Sequence, residues 1–148
     1  MQYTKKMINR EILKAFAGFK NTHSKVVVSG NWGCGVFKGD YKLKLIIQWI
    51  AASMANKTLK HCPYGKNMQL NENFKELQNI EFLNLGEPYK TLMTVSDKWE
   101  RLGRRGEKKI FMDEFYGEML KKTEKRRNFS GLSLMRNEEK RISQKDME

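Results

Sequence analysis

A glycine-rich turn is the part of this sequence best suited to bind a charged ligand. Residues 25–40 read KVVVSGNWGCGVFKGD, a β-branched run, a turn with four glycines and an aspartate. Glycine lets the backbone approach a ligand closely, and the first N–H groups of a following helix have no partner within that helix. Such N–H groups attract negative charge. The pattern therefore favours a phosphate or diphosphate site, although a turn of this kind also forms for packing reasons alone.

A strand before the turn and a helix after it must hold the turn in place. Three consecutive valines predict a strand over residues 25–29 that is covered on both faces. Asp40 is a suitable N-cap for the next helix, whose apolar residues share one side and which Asn56 and Lys57 end. A second strand is predicted over residues 59–62, ended by Pro63. Strand, helix and strand then form a parallel pair with a right-handed crossover.

Further helices are predicted on both sides of this unit. Apolar residues at intervals of three and four predict a first helix that ends near Gly18. Others are predicted around 68–77, after Gly86 with Pro88 in its first turn, and around 111–120. Residues 98–148 are rich in lysine and arginine, and beyond the helix around 111–120 they have too few apolar residues to bury. We predict that they form a basic tail, partly helical or disordered, or ordered only against a partner.

Composition limits the classes of protein to which the chain can belong. Its 148 residues suffice for one ordinary domain, and no run of about 20 apolar residues predicts a membrane span. Two cysteines make a disulfide framework improbable and favour a reducing, intracellular location, cytoplasmic or nuclear. The formal net charge of +12 favours polyanionic partners, or simply a solvated lysine-rich surface. Nucleic acid is a possible partner, but no nucleic-acid-binding motif supports it.

The turn and the helix after it closely resemble one known family. Residues 30–40 read GNWGCGVFKGD and residues 43–52 read LKLIIQWIAA. Poly(ADP-ribose) glycohydrolases carry a Gly-Asn-Trp-Gly-Cys-Gly-x-Phe-x-Gly-Asp loop before such a helix, and Val36 and Lys38 depart from the commonest family residues. The likeness extends to residues 9–19, to Cys62-Pro-Tyr-Gly65 and to Pro88-Tyr-Lys-Thr-Leu92, so it covers roughly residues 4–95.

The resemblance implies a macrodomain, in which a mixed sheet lies between helices and ADP-ribose binds at the strand ends. Backbone N–H groups of the turn would hold the diphosphate, Asn31 would contact the ligand or lock the turn, and Tyr64 would lie against the adenine. Alternatively, Tyr64 packs on a helix, Trp32 and Phe37 anchor the turn in the core, and Cys34 is a small buried filler. The implied ADP-ribose-binding residues are Asn31, Gly33, Gly35, Val36, Phe37 and Tyr64.

The catalytic signature of the family is not found in these 148 residues. The family cleaves a ribose–ribose bond with a glutamate pair in a Gly-Gly-Gly…Gln-Glu-Glu segment, one glutamate acting as general acid. The sequence has no Gly-Gly-Gly, and its adjacent glutamates, Glu138 and Glu139, lie in the polar tail. No catalytic residue, metal ligand or cofactor is therefore predicted.

Two functional hypotheses rank ahead of a third, nucleic-acid binding driven by the excess of lysine and arginine. In the first, residues 1–97 are the diphosphate-binding, C-terminal half of a poly(ADP-ribose) glycohydrolase-like domain. They bind ADP-ribose or poly(ADP-ribose) and are inactive alone, as a pseudoenzyme. In the second, the chain is a non-enzymatic subunit of a larger assembly. It would dock on a protein partner through an exposed sheet edge, where the rest of the sheet is missing, and through its basic tail at residues 98–148.

Overall fold

The computed structural model describes residues 2–63, 86–103 and 110–126, together with Lys75 and Asn128. The predicted helix around residues 68–77 therefore lies almost entirely outside the described residues. The fold is mixed α/β, as the sequence predicts. Residues 110–126 are helical and are called α4. The elements before α4 are α1 (Lys5–Lys20), β1 (Val26–Ser29), α2 (Tyr41–Met54), β2 (Thr58–His61) and α3 (Gly86–Arg101).

The two strands form the parallel pair that the sequence predicts, with Val27 opposite Leu59. Leu59 packs against the hydrophobic core, and Val27 shares its face because paired residues point to the same side of a sheet. Val26 and Val28 point to the other face and are 37% and 67% exposed. The prediction that β1 is covered on both faces is therefore wrong for the described residues. Three consecutive valines indicate a hydrophobic strand, but a strand is buried on both faces only when a second layer of structure packs on the sheet.

Helix α2 begins and ends at residues that the sequence marks. The Asp40 carboxylate accepts hydrogen bonds from the backbone N–H of Lys42 (2.9 Å) and of Leu43 (3.3 Å), which confirms it as the N-cap. At the other end Asn56 has a left-handed φ of 54°, and the N–H of Lys57 donates to the carbonyl of Ala52 at 2.8 Å. This is the hydrogen-bond pattern that ends many helices.

The four helices share one hydrophobic core, to which α4 contributes substantially. Phe111, Met112 and Phe115 of α4 are fully buried, and the ring of Phe111 lies 5.2 Å from that of Trp99 in α3. Helix α3 continues through the predicted boundary between residues 97 and 98. The division into two parts stays a prediction. Among the described helices, none is long and apolar enough to cross a membrane.

Candidate functional site

The glycine loop, residues 30–40, connects β1 to α2. A backbone hydrogen bond between Gly39 and Gly33, called the pinch, joins its two halves. The N–H of Gly39 donates to the carbonyl of Gly33 at 2.9 Å, and the N–H of Lys38 donates to the carbonyl of Gly35 at 2.9 Å. A Cβ atom on Gly39 would lie 2.6 Å from the Gly33 oxygen, and Gly33 has a φ of +72°. Both positions therefore need glycine, the first for space and the second for backbone conformation.

The tip of the loop, residues 35–37, is exposed to solvent. No described residue accepts a hydrogen bond from the N–H of Gly35, Val36 or Phe37. Val36 is 93% exposed and Phe37 is 87% exposed. The alternative in which Phe37 anchors the loop in the core is therefore wrong. Three consecutive N–H groups without acceptors can together receive the oxygens of an anion.

The start of the loop lies directly beside the end of β2. The N–H of Cys62 donates to the carbonyl of Ser29 at 2.7 Å, and a Cβ on Gly30 would lie 2.8 Å from the Cys62 oxygen. The carbonyl of Gly30 accepts from the side chain of Gln48 at 3.1 Å. Tyr64, predicted to lie against adenine, follows Cys62 by two residues but lies outside the described residues.

The end of the loop is held by the first residues of the chain. The Tyr3 hydroxyl donates to Oδ2 of Asp40 at 2.7 Å, and Oε1 of Gln2 accepts from the backbone N–H of Asp40 at 2.9 Å. Burial, together with the hydrogen bond to the Asp40 carboxylate and its charge, raises the pKa of Tyr3 well above its usual range. Neither partner can be predicted from a local pattern, because they lie 37 and 38 residues from Asp40 in the sequence.

A buried lysine lies beneath the loop. The ammonium of Lys44, in the first turns of α2, lies 4.6 Å from the centre of the Trp32 ring and forms an ion pair with Glu11 of α1. Burial raises the pKa of the Glu11 carboxyl, but hydrogen bonds and charges from Lys44 and Lys14 outweigh it, so the pKa is lowered from its ordinary value. Lys44 was missed as a site residue, although a charged residue within an otherwise apolar run was a detectable signal.

The other predicted residues of the loop lie close together. The carbonyl of Asn31 accepts from the N–H of Cys34 at 3.1 Å, and the Cys34 thiol donates to the carbonyl of Trp32 at 3.5 Å. Cys34 is only partly buried, and Trp32 is 39% exposed and outside the hydrophobic core. In the described parts of the chain, no group of three or more His, Cys, Asp or Glu residues could hold a metal ion.

The glycine loop lies within a match to a known protein family. A family model described as poly(ADP-ribose) glycohydrolase, macro domain fold, matches residues 1–71. Residues 1–71 are therefore similar to the C-terminal region of a poly(ADP-ribose) glycohydrolase catalytic domain. The resemblance predicted from the loop is thereby confirmed, and the α/β unit described above is consistent with part of a macrodomain. The likeness of Pro88-Tyr-Lys-Thr-Leu92 to a family helix lies beyond the match and stays a prediction.

Individual relatives support the same assignment. Poly(ADP-ribose) glycohydrolase 1 of Caenorhabditis elegans is 45% identical over 69 residues, which are 44% of this chain and 9% of the relative. Poly(ADP-ribose) glycohydrolase 2 of the same organism is 43% identical over 68 residues, 43% of this chain and 14% of the relative. The probable poly(ADP-ribose) glycohydrolase 2 of Arabidopsis thaliana is 40% identical over 76 residues, which are 51% of this chain and 13% of the relative. The chain thus spans less than a sixth of each relative.

Proposed function

We propose that this chain binds the diphosphate of ADP-ribose through the tip of the glycine loop. The observation that carries the proposal is the set of N–H groups at Gly35, Val36 and Phe37, for which no described residue provides an acceptor. Backbone amides bind an anion without any charged side chain. The match to a poly(ADP-ribose) glycohydrolase family model over residues 1–71 favours ADP-ribose, free or in poly(ADP-ribose), over other anions.

The remaining contacts complete the proposed ligand site. Asn31 and Gly33 form the first half of the loop, and Tyr64 provides an aromatic face for the adenine just after β2. Stacking of a base on an aromatic side chain contributes about 1–3 kcal/mol. The short distance between the Cys62 backbone and Gly30 supports this assignment, because it brings the end of β2 next to the loop.

We further propose that these 148 residues alone bind ADP-ribose without hydrolysing poly(ADP-ribose). Hydrolysis needs a carboxylic acid that can protonate the leaving oxygen. Of the carboxylates beside the loop, Glu11 is paired with Lys44 and has a lowered pKa, which is the wrong direction for a general acid. Asp40 caps α2 and accepts from Tyr3, so both of its oxygens are used in structure. Activity would then require a glutamate loop from another part of a longer protein or from a partner.

Calorimetric titration of the full chain with ADP-ribose tests the binding proposal. We expect saturable binding of ADP-ribose, weaker binding of AMP, which lacks the diphosphate, and no binding of adenosine. Equal affinity for AMP and ADP-ribose would contradict diphosphate recognition, and no heat with ADP-ribose would contradict ligand binding altogether. A parallel assay with poly(ADP-ribose) should show no release of ADP-ribose by the chain alone.

A second candidate function is that of a non-enzymatic subunit. The exposure of Val26 and Val28 on the outer face of the sheet favours it, because apolar sheet faces are normally covered. A partner protein, acting inside the cell in the cytoplasm or nucleus, would cover this face. Purification of the tagged chain from its native source tests this function. A stoichiometric complex that Val28→Lys disrupts would support it, whereas a free monomer would contradict it.

A further inference from the structure

Helix α2 directs two buried polar side chains towards the glycine loop. Lys44 is 9% exposed and Gln48 is fully buried, although the helix around them is apolar. The two residues are four positions apart, so they lie on the same face of the helix, one turn from each other. Burying such groups is unfavourable unless they find partners. Both have contacts with the glycine loop.

Lys44 supports the middle of the loop from below. Its Cε atom lies 3.7 Å from the position of a Cβ on Gly33 and 3.5 Å from that of a Cβ on Gly39. It therefore fills the space next to the two residues whose backbone bond closes the pinch. Its ammonium lies over the Trp32 ring and forms an ion pair with Glu11 of α1.

Gln48 supports the start of the loop. Its Nε2 donates to the carbonyl of Gly30 at 3.1 Å, at the point where the chain leaves β1. The same carbonyl accepts from the N–H of Trp32 at 2.8 Å, which begins the first turn of the loop. Gln48 thus fixes the direction in which the loop leaves the sheet.

We infer that Lys44 and Gln48 act as a polar clamp that positions the glycine loop in its anion-receiving conformation before any ligand binds. Both are positioning residues, because the charge of Lys44 is committed to Glu11 and its side chain is only 11% exposed. The role of the clamp in ligand binding rests on the proposed function, whereas its contacts with the loop do not. It lowers the cost of ordering the loop when the diphosphate arrives.

Amide hydrogen exchange of the full chain without ligand tests the clamp directly. Lys44→Met removes the charge, and Gln48→Leu removes the amide at similar size. We expect each to speed exchange of the hydrogen-bonded loop amides by about tenfold or more relative to the amides of α3, because loop opening becomes easier. These are the amides of Trp32, Cys34, Lys38 and Gly39. Lys14→Met is the matched control. It removes the other cation bound to Glu11 but none of the described contacts to the loop, so loop exchange should not change.

Glu11→Gln is the second variant, which keeps the shape of the side chain and removes only its charge. The clamp predicts faster loop exchange here too, because Lys44 loses its anchor. If Lys44→Met or Gln48→Leu folds and its loop exchange is unchanged, the clamp is overturned. If neither variant folds, unchanged loop exchange in Glu11→Gln overturns it.

Binding measurements separate the clamp from the proposed function. We expect Lys44→Met and Glu11→Gln each to weaken ADP-ribose binding about tenfold. If Lys44 instead contacted the diphosphate directly, Glu11→Gln would release its charge and tighten binding, and this result would overturn a purely positioning role. If the natural chain binds no ADP-ribose, the proposed function fails, while the exchange experiment still decides whether the clamp exists.

Discussion

The Tyr3 hydroxyl donates a 2.7 Å hydrogen bond to Oδ2 of Asp40, and Oδ1 of the same carboxylate caps α2. One carboxylate therefore joins three parts of the chain: the segment before α1, the end of the glycine loop and the start of α2. Both residues are buried, at 7% and 6% exposure, so water cannot readily replace either partner. The position of the glycine loop thus depends on a residue 37 positions earlier.

This relationship predicts strong coupling between the two residues. Asp40→Ala should lower the free energy of unfolding by about 2 kcal/mol or more, because it removes a helix cap and leaves the Tyr3 hydroxyl without an acceptor. Tyr3→Phe should cost about 1 kcal/mol. Urea denaturation of both single variants and the double variant measures the coupling, which should be about 1 kcal/mol. Strictly additive losses would show that the hydrogen bond contributes nothing.

Gly39 should tolerate no side chain. A methyl group there would lie 2.6 Å from the Gly33 carbonyl, so Gly39→Ala must break the pinch that shapes the loop. We expect at least a tenfold loss of ADP-ribose affinity by calorimetry, corresponding to about 1.4 kcal/mol.

Gly18→Ala is the control for this substitution. It makes the same chemical change in α1, where the new methyl group meets nothing within 4 Å. It should leave affinity unchanged and raise stability slightly, since alanine favours a helix over glycine by up to about 1 kcal/mol. Equal affinity in the Gly39→Ala and natural chains would contradict a role for the pinch in binding.

His61, at the end of β2, should make stability depend on pH near neutrality. Burial lowers its pKa from the ordinary value, and the nearby backbone of Gly30 only partly offsets this. The neutral ring is therefore favoured in the folded state. Its contribution to stability is fully present above the unfolded pKa of about 6.5 and is lost as the pH falls below that value towards the folded pKa.

Urea denaturation between pH 5 and 8 measures this effect. The natural chain should lose stability towards the lower pH, and His61→Gln should lose less. His23→Gln changes the other histidine, which is exposed, and should follow the natural chain. Parallel curves for His61→Gln and the natural chain would exclude this assignment.

Local patterns in the sequence predict the elements of this fold, and long-range contacts explain what they miss. The Asp40 cap, the end of α2 at Asn56 and the parallel strand pair each follow from residues within a few positions of one another. The exposure of Val28 could not be predicted, because it depends on what lies over the sheet. The helix around residues 111–120 was predicted, but its burial was not, because Phe111 packs against Trp99 of α3 and against Tyr3, which are distant in sequence.

The candidate site likewise has features that the local sequence predicts and features that depend on long-range contacts. The glycines and the loop could be read directly, and the family resemblance followed from them. The support beneath the loop could not, because the contacts of Glu11 to Lys44 and of Gln48 to Gly30 join residues 18 to 33 positions apart. No periodic pattern connects such pairs. They become visible only when the helices are packed.

Amide NMR of the full chain titrated with ADP-ribose shows whether the backbone amides at the loop tip receive the diphosphate. We expect saturable downfield shifts of the Gly35, Val36 and Phe37 amide protons, larger than those of the Lys38 and Gly39 amides, which already donate to carbonyls of the loop. Saturable shifts elsewhere in the chain, with the three tip amides unmoved, would contradict diphosphate binding at the loop tip.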